Sequence, residues 1–281
     1  MIQEKEILEK TGHMYSPRTD RAWEKIREKA GIAPGQNKKT LPLLFKMAAL
    51  FLLLAGLGWG IRWVVQSRWQ TVQTAWNQQK VTLPDGSTAF LNGNSTLHFP
   101  EAFKGKSRVV KLRGEAFFEV KGNREKPFVV LVPEGKIEVV GTAFNVKTPE
   151  DGGKTEVLVQ TGVVEVSGAG RHAFVLTLHR GEFGIIKNGK TVKAAPPRAN
   201  YLSWHTKVIR FRKAPLSRVV DVINRAYAKN VVLAGEKLRQ LELTSAYDHA
   251  GFETVLNSIC LTFHLKAVKK GDKIVLYQIK E

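Results

Sequence analysis

Cysteine is almost missing from this chain of 281 residues. Cys260 is the only thiol, so no disulfide can form within the chain, and in an oxidising compartment we expect this thiol to be buried. The seven histidines show no metal-ligand spacing. Motifs for a serine nucleophile, a phosphate-binding loop or a calcium loop are also absent from the sequence. These absences argue against an enzyme and predict neither a cofactor nor a metal.

Acidic residues are scarce, with 25 Asp and Glu against 44 Lys and Arg, which gives a formal net charge of +19. A nucleic-acid site normally concentrates such charge on one face or in one run. Here the positive charges are spread along the chain with no dense basic block. The excess is therefore better suited to anionic lipid headgroups, envelope polymers or an acidic partner than to nucleic acid.

Only one long hydrophobic run is present, over residues 41–65. Its uncharged centre, Met47 to Ile61, would cover about 22 Å as a helix, which is shorter than a membrane's hydrocarbon core of about 30 Å. With its flanks the run reaches about 37 Å, and Lys46 and Arg62 could extend to the headgroups. A buried core helix would show a polar stripe, and a cleaved signal would start earlier. The run therefore predicts a transmembrane helix.

The flanking charges predict how this helix is oriented. Nine Lys and Arg precede it within residues 1–40, whereas only Arg68 and Lys80 follow in the predicted juxtamembrane linker, 66–80. The bias favours a cytoplasmic N-terminus and an exported C-terminal portion. Residues 1–40 are expected to form a helical arm in which Trp23 and Ile26 share one face. That face could bind a partner protein, or the helix could be only marginally stable alone.

Residues 81–193 contain about ten short β-type runs separated by turns, which favours an all-β antiparallel sandwich or roll. Pro84-Asp85-Gly86 between the first two runs predicts a hairpin turn. Glu115 and Glu119 are four residues apart in one strand, which places them on one face, and such a face is usually solvated.

A linker is expected over 194–206, and residues 207–281 follow a βαββαββ order that indicates a small α+β domain. Apolar residues at helical spacing predict its two helices, near 216–227 and 252–263, and Lys270-Gly271-Asp272 predicts a closing hairpin. The predicted fold class is therefore a single transmembrane helix plus the all-β domain and this α+β domain.

Five segments of the β region form a specific series: VTLPDGSTAFLNGNSTLHFPEAF at 81–103, VVKLRGEAFFEV at 109–120, KPFVV at 126–130, VVGTAFNV at 139–146 and VLVQTGVVEV at 157–166. In this order and spacing they resemble successive signatures of the FecR family of single-pass transmembrane anti-sigma regulators. Most of their residues are also explained by the fold: Gly114 and Gly162 as turns at strand ends, and Phe117, Phe118, Phe128 and Phe144 as core. Residues 207–281 contain VIRFRKAPLSRVVDVINRAY, LELTSAY and ETVLNSICLTFHLK. Through these segments they resemble the C-terminal domain that often follows a FecR domain, which is similar to short N-terminal modules of secretins and TonB-dependent transporters.

The resemblance implies a chain of partners. The cytoplasmic arm would bind an extracytoplasmic-function sigma factor. The periplasmic domains, anchored in the inner membrane, would receive a signal from the signalling domain of a TonB-dependent outer-membrane transporter. Signal release would then involve cutting of the chain by envelope proteases. The arm is shorter than is usual in the family, which leaves open a second hypothesis: a periplasmic scaffold or envelope-binding protein with no sigma-factor output.

Gly141-Thr142 is the one candidate for covalent chemistry. In some members of the family the exported domain cuts itself at a Gly-Thr bond, where the threonine hydroxyl attacks the preceding carbonyl. Gly141 and Thr142 would also fit a simple turn into the following strand, so the sequence allows both interpretations.

Overall fold

The computed structural model describes residues 17–31, 41–65, 68–149, 153–170 and 174–279, and it divides the chain into two compact units, Met1–Trp63 and Val64–Glu281. Of the predicted arm over 1–40, residues 1–16 and 32–40 lie outside the described residues. Within the arm, helix α1 spans Pro17–Lys29.

Helix α2 spans Leu41–Val65, where the hydrophobic run lies. Side chains are described for residues 45–57 of this helix. Among the described residues, no helix is both long enough and apolar enough to cross a membrane. The predicted transmembrane span is therefore not confirmed.

A β domain opens the second unit. Its described strands are β1 (Trp69–Thr74), β2 (Gln79–Thr82), β3 (Thr88–Leu91), β4 (Ser95–Pro100), β5 (Arg108–Glu119), β6 (Phe128–Val132), β7 (Gly135–Val139), β8 (Ala143–Thr148), β9 (Thr155–Thr161), β10 (Val163–Gly168), β11 (Val175–His179), β12 (Phe183–Lys187) and β13 (Lys190–Ala194). The predicted β2–β3 hairpin across Pro84-Asp85-Gly86 is present, with Gly86 at a φ of +77°.

The prediction of a linker over 66–80 was wrong for strand β1. This strand pairs antiparallel with β4 from Trp69 opposite Pro100 to Thr74 opposite Ser95. Its sequence, WQTVQT, looks like a linker because it is mostly polar. The backbone hydrogen bonds to β4 nevertheless hold it, and the buried Thr74 hydroxyl donates to the Asn92 carbonyl at 2.6 Å. The sheet therefore begins near residue 69.

Strand β5 belongs to both layers of the β domain. Its first half pairs with β4 and β6, and its second half pairs with β3 and β8. Gly114 lies at the change of layer with a φ of +90°, and a Cβ there would come within 2.5 Å of the Asn94 carbonyl oxygen. Only glycine suits this corner. Gly114 is thus a bend within one strand, not the strand-end turn expected from the sequence.

The β domain is not purely antiparallel, which corrects the predicted fold class. Strand β6 runs parallel to β5, from Phe128 opposite Arg108 to Leu131 opposite Lys111. Arg108 lies at the start of β5, and its buried guanidinium donates to the backbone carbonyls of Lys121 at 2.9 Å and Lys126 at 2.8 Å. These bonds hold the segment that follows β5 next to the start of β5. A short connection is therefore enough for β6 to begin there and run parallel to β5.

Between the two layers lies an apolar core, which includes three of the four predicted phenylalanines. The rings of Phe118 and Phe144 stack with centroids 5.4 Å apart, and the Phe128 ring lies 5.9 Å from Phe118. All three side chains are fully buried. Phe117 is also buried, but it faces outward from this core and is covered by the C-terminal part of the chain.

The remaining described elements form the α+β domain and the segment leading into it. They are α3 (Ser203–Thr206), β14 (Val208–Pro215), α4 (Leu216–Tyr227), β15 (Val231–Leu233), α5 (Glu236–Arg239), β16 (Glu242–Asp248), α6 (Phe252–Phe263), β17 (Leu265–Lys270) and β18 (Lys273–Gln278). The predicted βαββαββ order is present with one addition, the single-turn helix α5. Strands β14 and β16 pair alone, and β15, β18 and β17 form a second sheet.

Two further expectations need correction in this part of the chain. The predicted linker over 194–206 ends in helix α3, where Trp204 is only 1% exposed, because this helix is packed between the two domains. Cys260 is half-buried instead of buried, since it lies at the side of the apolar face that α6 turns to the core.

Candidate functional site: the domain junction and the Gly141–Thr142 turn

The two domains of the second unit meet at the outer face of the layer that contains β3, β5 and β8. Polar groups in the middle of this face are buried, including Glu115 of β5 and Asn145 of β8. The α+β domain covers them with residues 201–207 and with helix α4. This contact, which we call the domain junction, is where a change in one domain can reach the other.

Glu115 and Arg225 form the main ionic contact of the domain junction. Arg225 Nη2 donates to Glu115 Oε1 at 2.7 Å, and the amides of Asn145 and Asn92 donate to the same carboxylate at 3.1 and 2.9 Å. Glu115 is only 5% exposed. A buried carboxylate needs such compensation, because an unpaired one is expensive. The pattern of the strand favoured a solvated face for Glu115 and Glu119; of the two, only Glu119 is exposed.

An aromatic stack lies beside this ion pair. The His205 imidazole stacks on Phe117, with centroids 4.0 Å apart and planes 17° from parallel, and it also lies 4.6 Å from the Phe90 ring. Burial lowers the pKa of His205, and the nearby Lys207 ammonium lowers it further. The imidazole in the junction is therefore held in its neutral form more strongly than a histidine in water.

Lys207 ties three segments together at the junction. Its ammonium donates to Gln78 Oε1 at 2.8 Å, to the Trp204 carbonyl at 2.7 Å, and to the carbonyl of Ala226 at the end of α4. All three ammonium protons thus have an acceptor. Burial lowers the pKa of Lys207. Because Gln78 belongs to the β domain, this lysine joins the domains independently of Glu115.

Tyr201 provides a third connection. Its hydroxyl donates to Glu156 Oε2 at 2.9 Å, and the guanidinium of Arg225 lies 5.0 Å from the centre of its ring. Burial raises the pKa of Tyr201, and the charges of Glu156 and Glu115 raise it further. The phenol therefore stays protonated and acts as a donor between the domains.

Gly141 and Thr142 lie in the turn between β7 and β8. Thr142 is 5% exposed, and its hydroxyl is buried without a hydrogen-bond partner among the described residues. The turn is tight, since a Cβ on Gly162 would meet Thr142 Cγ2 at 2.6 Å, and one on Gly141 would meet Gly122 Cα at 2.7 Å. Buried hydroxyl groups normally have a hydrogen-bond partner. The Thr142 hydroxyl has none among the described residues, and it lies next to the peptide bond that is the candidate for cleavage.

The partner-binding candidates Trp23 and Ile26 both lie in α1. Ile26 is 53% exposed. The side chain of Trp23 lies outside what the structure describes. In the described ranges, no group of three or more His, Cys, Asp or Glu residues is placed to hold a metal ion.

Sequence reasoning missed the junction residues Glu115, His205, Lys207 and Arg225. One signal was available: Glu115 is an acid directly before the apolar run Ala116-Phe117-Phe118, which is an unusual place for a solvated carboxylate. His205 and Lys207 fell in or next to the predicted linker, where no periodicity indicates packing.

Comparisons with known proteins agree with this two-domain arrangement. The family model described as FecR protein matches residues 70–165, and the model described as FecR, C-terminal matches residues 208–276. Two crystal structures of a putative anti-sigma factor from Parabacteroides distasonis are similar to the chain, each at 29% identity and a TM-score of 0.53. The matches cover 76% and 75% of this chain and 100% of the other.

No curated protein matches the chain significantly. The two family models match consecutive parts of the second unit. The first falls within the β domain, ending in strand β10, and the second falls within the α+β domain. Together with the likeness to an anti-sigma factor over the whole of that relative, they support an anti-sigma regulatory role. The chain belongs to the FecR family, with the FecR domain followed by the family's C-terminal domain.

Proposed function

We propose that this chain is an inner-membrane anti-sigma regulator that passes a signal from an outer-membrane TonB-dependent transporter to an extracytoplasmic-function sigma factor. The observation that carries the proposal is the pairing of a FecR domain with a FecR C-terminal domain in one compact unit. The buried Glu115–Arg225 contact supports transmission, because a partner that moved the α+β domain would disturb a strand of the FecR domain.

Helix α1 is the proposed sigma-factor contact. It is short and mostly charged, and Ile26 is an exposed apolar side chain on it. A short helix of this kind gains stability mainly by packing an apolar face on a partner. Trp23 is three positions before Ile26 in the sequence, a spacing at which helical residues are neighbours, and we propose that it joins this contact.

Helix α2 is the proposed membrane anchor, which would leave α1 in the cytoplasm and the two domains in the periplasm. Its described side chains are apolar and exposed on all sides apart from Lys46, with Phe45, Phe51 and Leu52 each at least 69% exposed. Such a helix is expected to need an apolar environment. Alkaline phosphatase fused after residue 279 tests the topology: we expect activity with the full chain and none when α2 is deleted.

Co-purification tests the proposed output. The full chain should recover a sigma factor from its own cells, and the double substitution Trp23→Ala and Ile26→Ala should abolish that recovery. Lys25→Ala is the matched control, since Lys25 is exposed on the same helix outside the apolar pair. Failure of all variants to recover a sigma factor, together with retained binding of a transporter signalling domain, would favour the scaffold hypothesis.

A second proposal, self-cleavage at Gly141–Thr142, is favoured by the buried Thr142 hydroxyl, for which the described ranges supply no hydrogen-bond partner. Its oxygen would attack the Gly141 carbonyl carbon, and the Thr142 nitrogen would leave as an amine to give an ester. Water would then hydrolyse the ester, releasing a carboxylate at Gly141 and a free amine and hydroxyl at Thr142. The break would precede signal release, and envelope proteases would act afterwards on the membrane-bound part.

Denaturing electrophoresis with N-terminal sequencing tests the cleavage. We expect a fragment that starts at Thr142 in the wild-type chain and in Thr142→Ser, and none in Thr142→Ala. Thr161→Ala is the control, because Thr161 lies next to the turn and its hydroxyl oxygen accepts from the Ala143 backbone N–H. An intact wild-type chain would rule out the reaction.

A further inference from the structure

The α+β domain has a second feature that the domain junction does not use, a cavity of about 840 Å³ beside the β14–β16 pair. Four arginines line it, and they come from three separate segments: Arg198 from the chain before α3, Arg210 and Arg212 from β14, and Arg218 from α4. We call these four residues the arginine cluster. Its size is within the range of sites for small molecules, about 300–1,000 Å³.

The arginine cluster has no internal counter-charge. Among the described residues, none of the four guanidinium groups forms an ion pair or a side-chain hydrogen bond, whereas Arg108, Arg225 and Arg239 each bind a carboxylate. No acid from the described part of the chain lines the cavity. One acid, Asp221, lines a smaller neighbouring cavity that shares Arg198 and Arg218. The remaining positive charge in this corner of the domain is therefore uncompensated.

Two features hold the arginines in position. Arg210 and Arg212 are two residues apart on β14, so their side chains leave the same face of the strand. The Asn200 side chain binds the outer edge of that strand, donating to the Arg210 carbonyl at 2.9 Å and accepting from its N–H at 2.8 Å. These two bonds hold the segment with Arg198 next to β14. The backbone segments that carry Arg198, Arg210 and Arg212 are thus held next to one another, while the arginine side chains are exposed to solvent.

The floor of the cavity includes apolar residues. Ala199, Ala214 and Ala246 line it, together with the mostly buried Phe211 and Val222. Guanidinium groups bind phosphate oxygens through paired, planar hydrogen bonds, and several arginines around one cavity suit a group of more than one negative charge. An apolar floor suits a carbon body next to that group. A free metabolite and a lipid headgroup could both supply this chemistry.

From these observations we infer that the arginine cluster is a binding site for a phosphate-bearing molecule with an apolar portion. The site would give the α+β domain a ligand of its own, bound outside the domain junction. This inference does not depend on the chain's regulating a sigma factor.

Calorimetric titration of the full chain in neutral detergent tests the site with two probes, inorganic pyrophosphate and a water-soluble short-chain phosphatidylglycerol. Arg210→Gln combined with Arg212→Gln should weaken binding by about tenfold or more, because charge-assisted hydrogen bonds are lost. The control, Arg124→Gln combined with Arg180→Gln, removes the same charge from exposed positions outside the cavity and should leave the affinity within about twofold. Arg198→Gln combined with Arg218→Gln serves as a second cavity variant if the first does not fold.

The two probes distinguish the sources of the phosphate. Binding of pyrophosphate supports a free ligand, and binding of phosphatidylglycerol alone, with the same dependence on the cluster, supports a lipid headgroup. The inference is wrong if neither probe binds at millimolar concentration, or if the control pair weakens binding as much as the cavity pairs do.

Discussion

Arg225 of helix α4 lies 2.7 Å from Glu115 of strand β5, and the two residues belong to different domains. Glu115 is 5% exposed and has two amide donors besides the arginine. The carboxylate therefore depends on the α+β domain for its only ionic partner among the described residues. This dependence makes the stability of the FecR domain sensitive to the position of its neighbour.

Arg225→Met should destabilise the chain by about 2 kcal/mol, because it leaves a buried carboxylate without its cation. Adding Glu115→Gln should cost less than the sum of the two single changes, since the uncompensated charge is then gone. Urea unfolding of the wild type, Arg225→Met, Glu115→Gln and the double variant measures this coupling. Arg239→Met, which breaks an exposed pair with Glu236, is the control and should change stability by less than about 0.5 kcal/mol. Additive effects would show that the pair does not join the domains.

Lys207→Met should destabilise the chain by about 2 kcal/mol, because the carbonyls of Trp204 and Ala226 and the side chain of Gln78 lose a shared donor. Methionine keeps most of the aliphatic stem, so packing changes little. Lys187→Met, at an exposed position of β12, should have almost no effect in the same unfolding experiment. If both variants unfold like the wild type, Lys207 does not fasten the junction.

His205 should make the stability of the junction depend on pH. Its pKa is lowered from the ordinary value of 6.5 in the folded chain, so the unfolded chain binds more protons in mildly acidic solution. The stabilisation from the neutral imidazole is complete above 6.5, the ordinary pKa that applies to the unfolded chain. It is lost as the pH falls through the lowered pKa of the folded chain. We expect the midpoint of thermal unfolding to drop between about pH 7.5 and pH 5.

His205→Phe should flatten this dependence, because phenylalanine keeps the stack on Phe117 and has no proton to bind. His264→Gln, at an exposed histidine that forms no ion pair with the described residues, should leave the slope of the wild type unchanged. A slope that is equal in the wild type and in His205→Phe would show that other groups cause the pH effect.

Local patterns predicted much of the fold. The β2–β3 hairpin and the closing hairpin across Lys270-Gly271-Asp272 both depend on turn residues, which act over a few positions. The apolar faces of α4 and α6 were visible because burial repeats with the period of a helix. Such features are set by neighbours in sequence, so a single chain is enough to predict them.

Features set by distant contacts were not predicted. Strand β1 has a polar sequence and is held by its pairing with β4, and the parallel course of β6 depends on where Arg108 holds the chain after β5. Glu115 looks like a surface residue until a helix 110 residues later covers it. The candidate site lies mainly at such a contact, which explains why only Gly141 and Thr142, a local motif, were singled out in advance within the second unit.

The most direct test of anti-sigma control is transcription from a promoter that depends on the co-purified sigma factor. Deleting this chain should raise reporter activity without the inducing signal. The full chain should restore repression, the Lys25→Ala variant should also restore it, and the chain with Trp23→Ala and Ile26→Ala should not. Reporter activity that is the same with and without the chain would contradict the account.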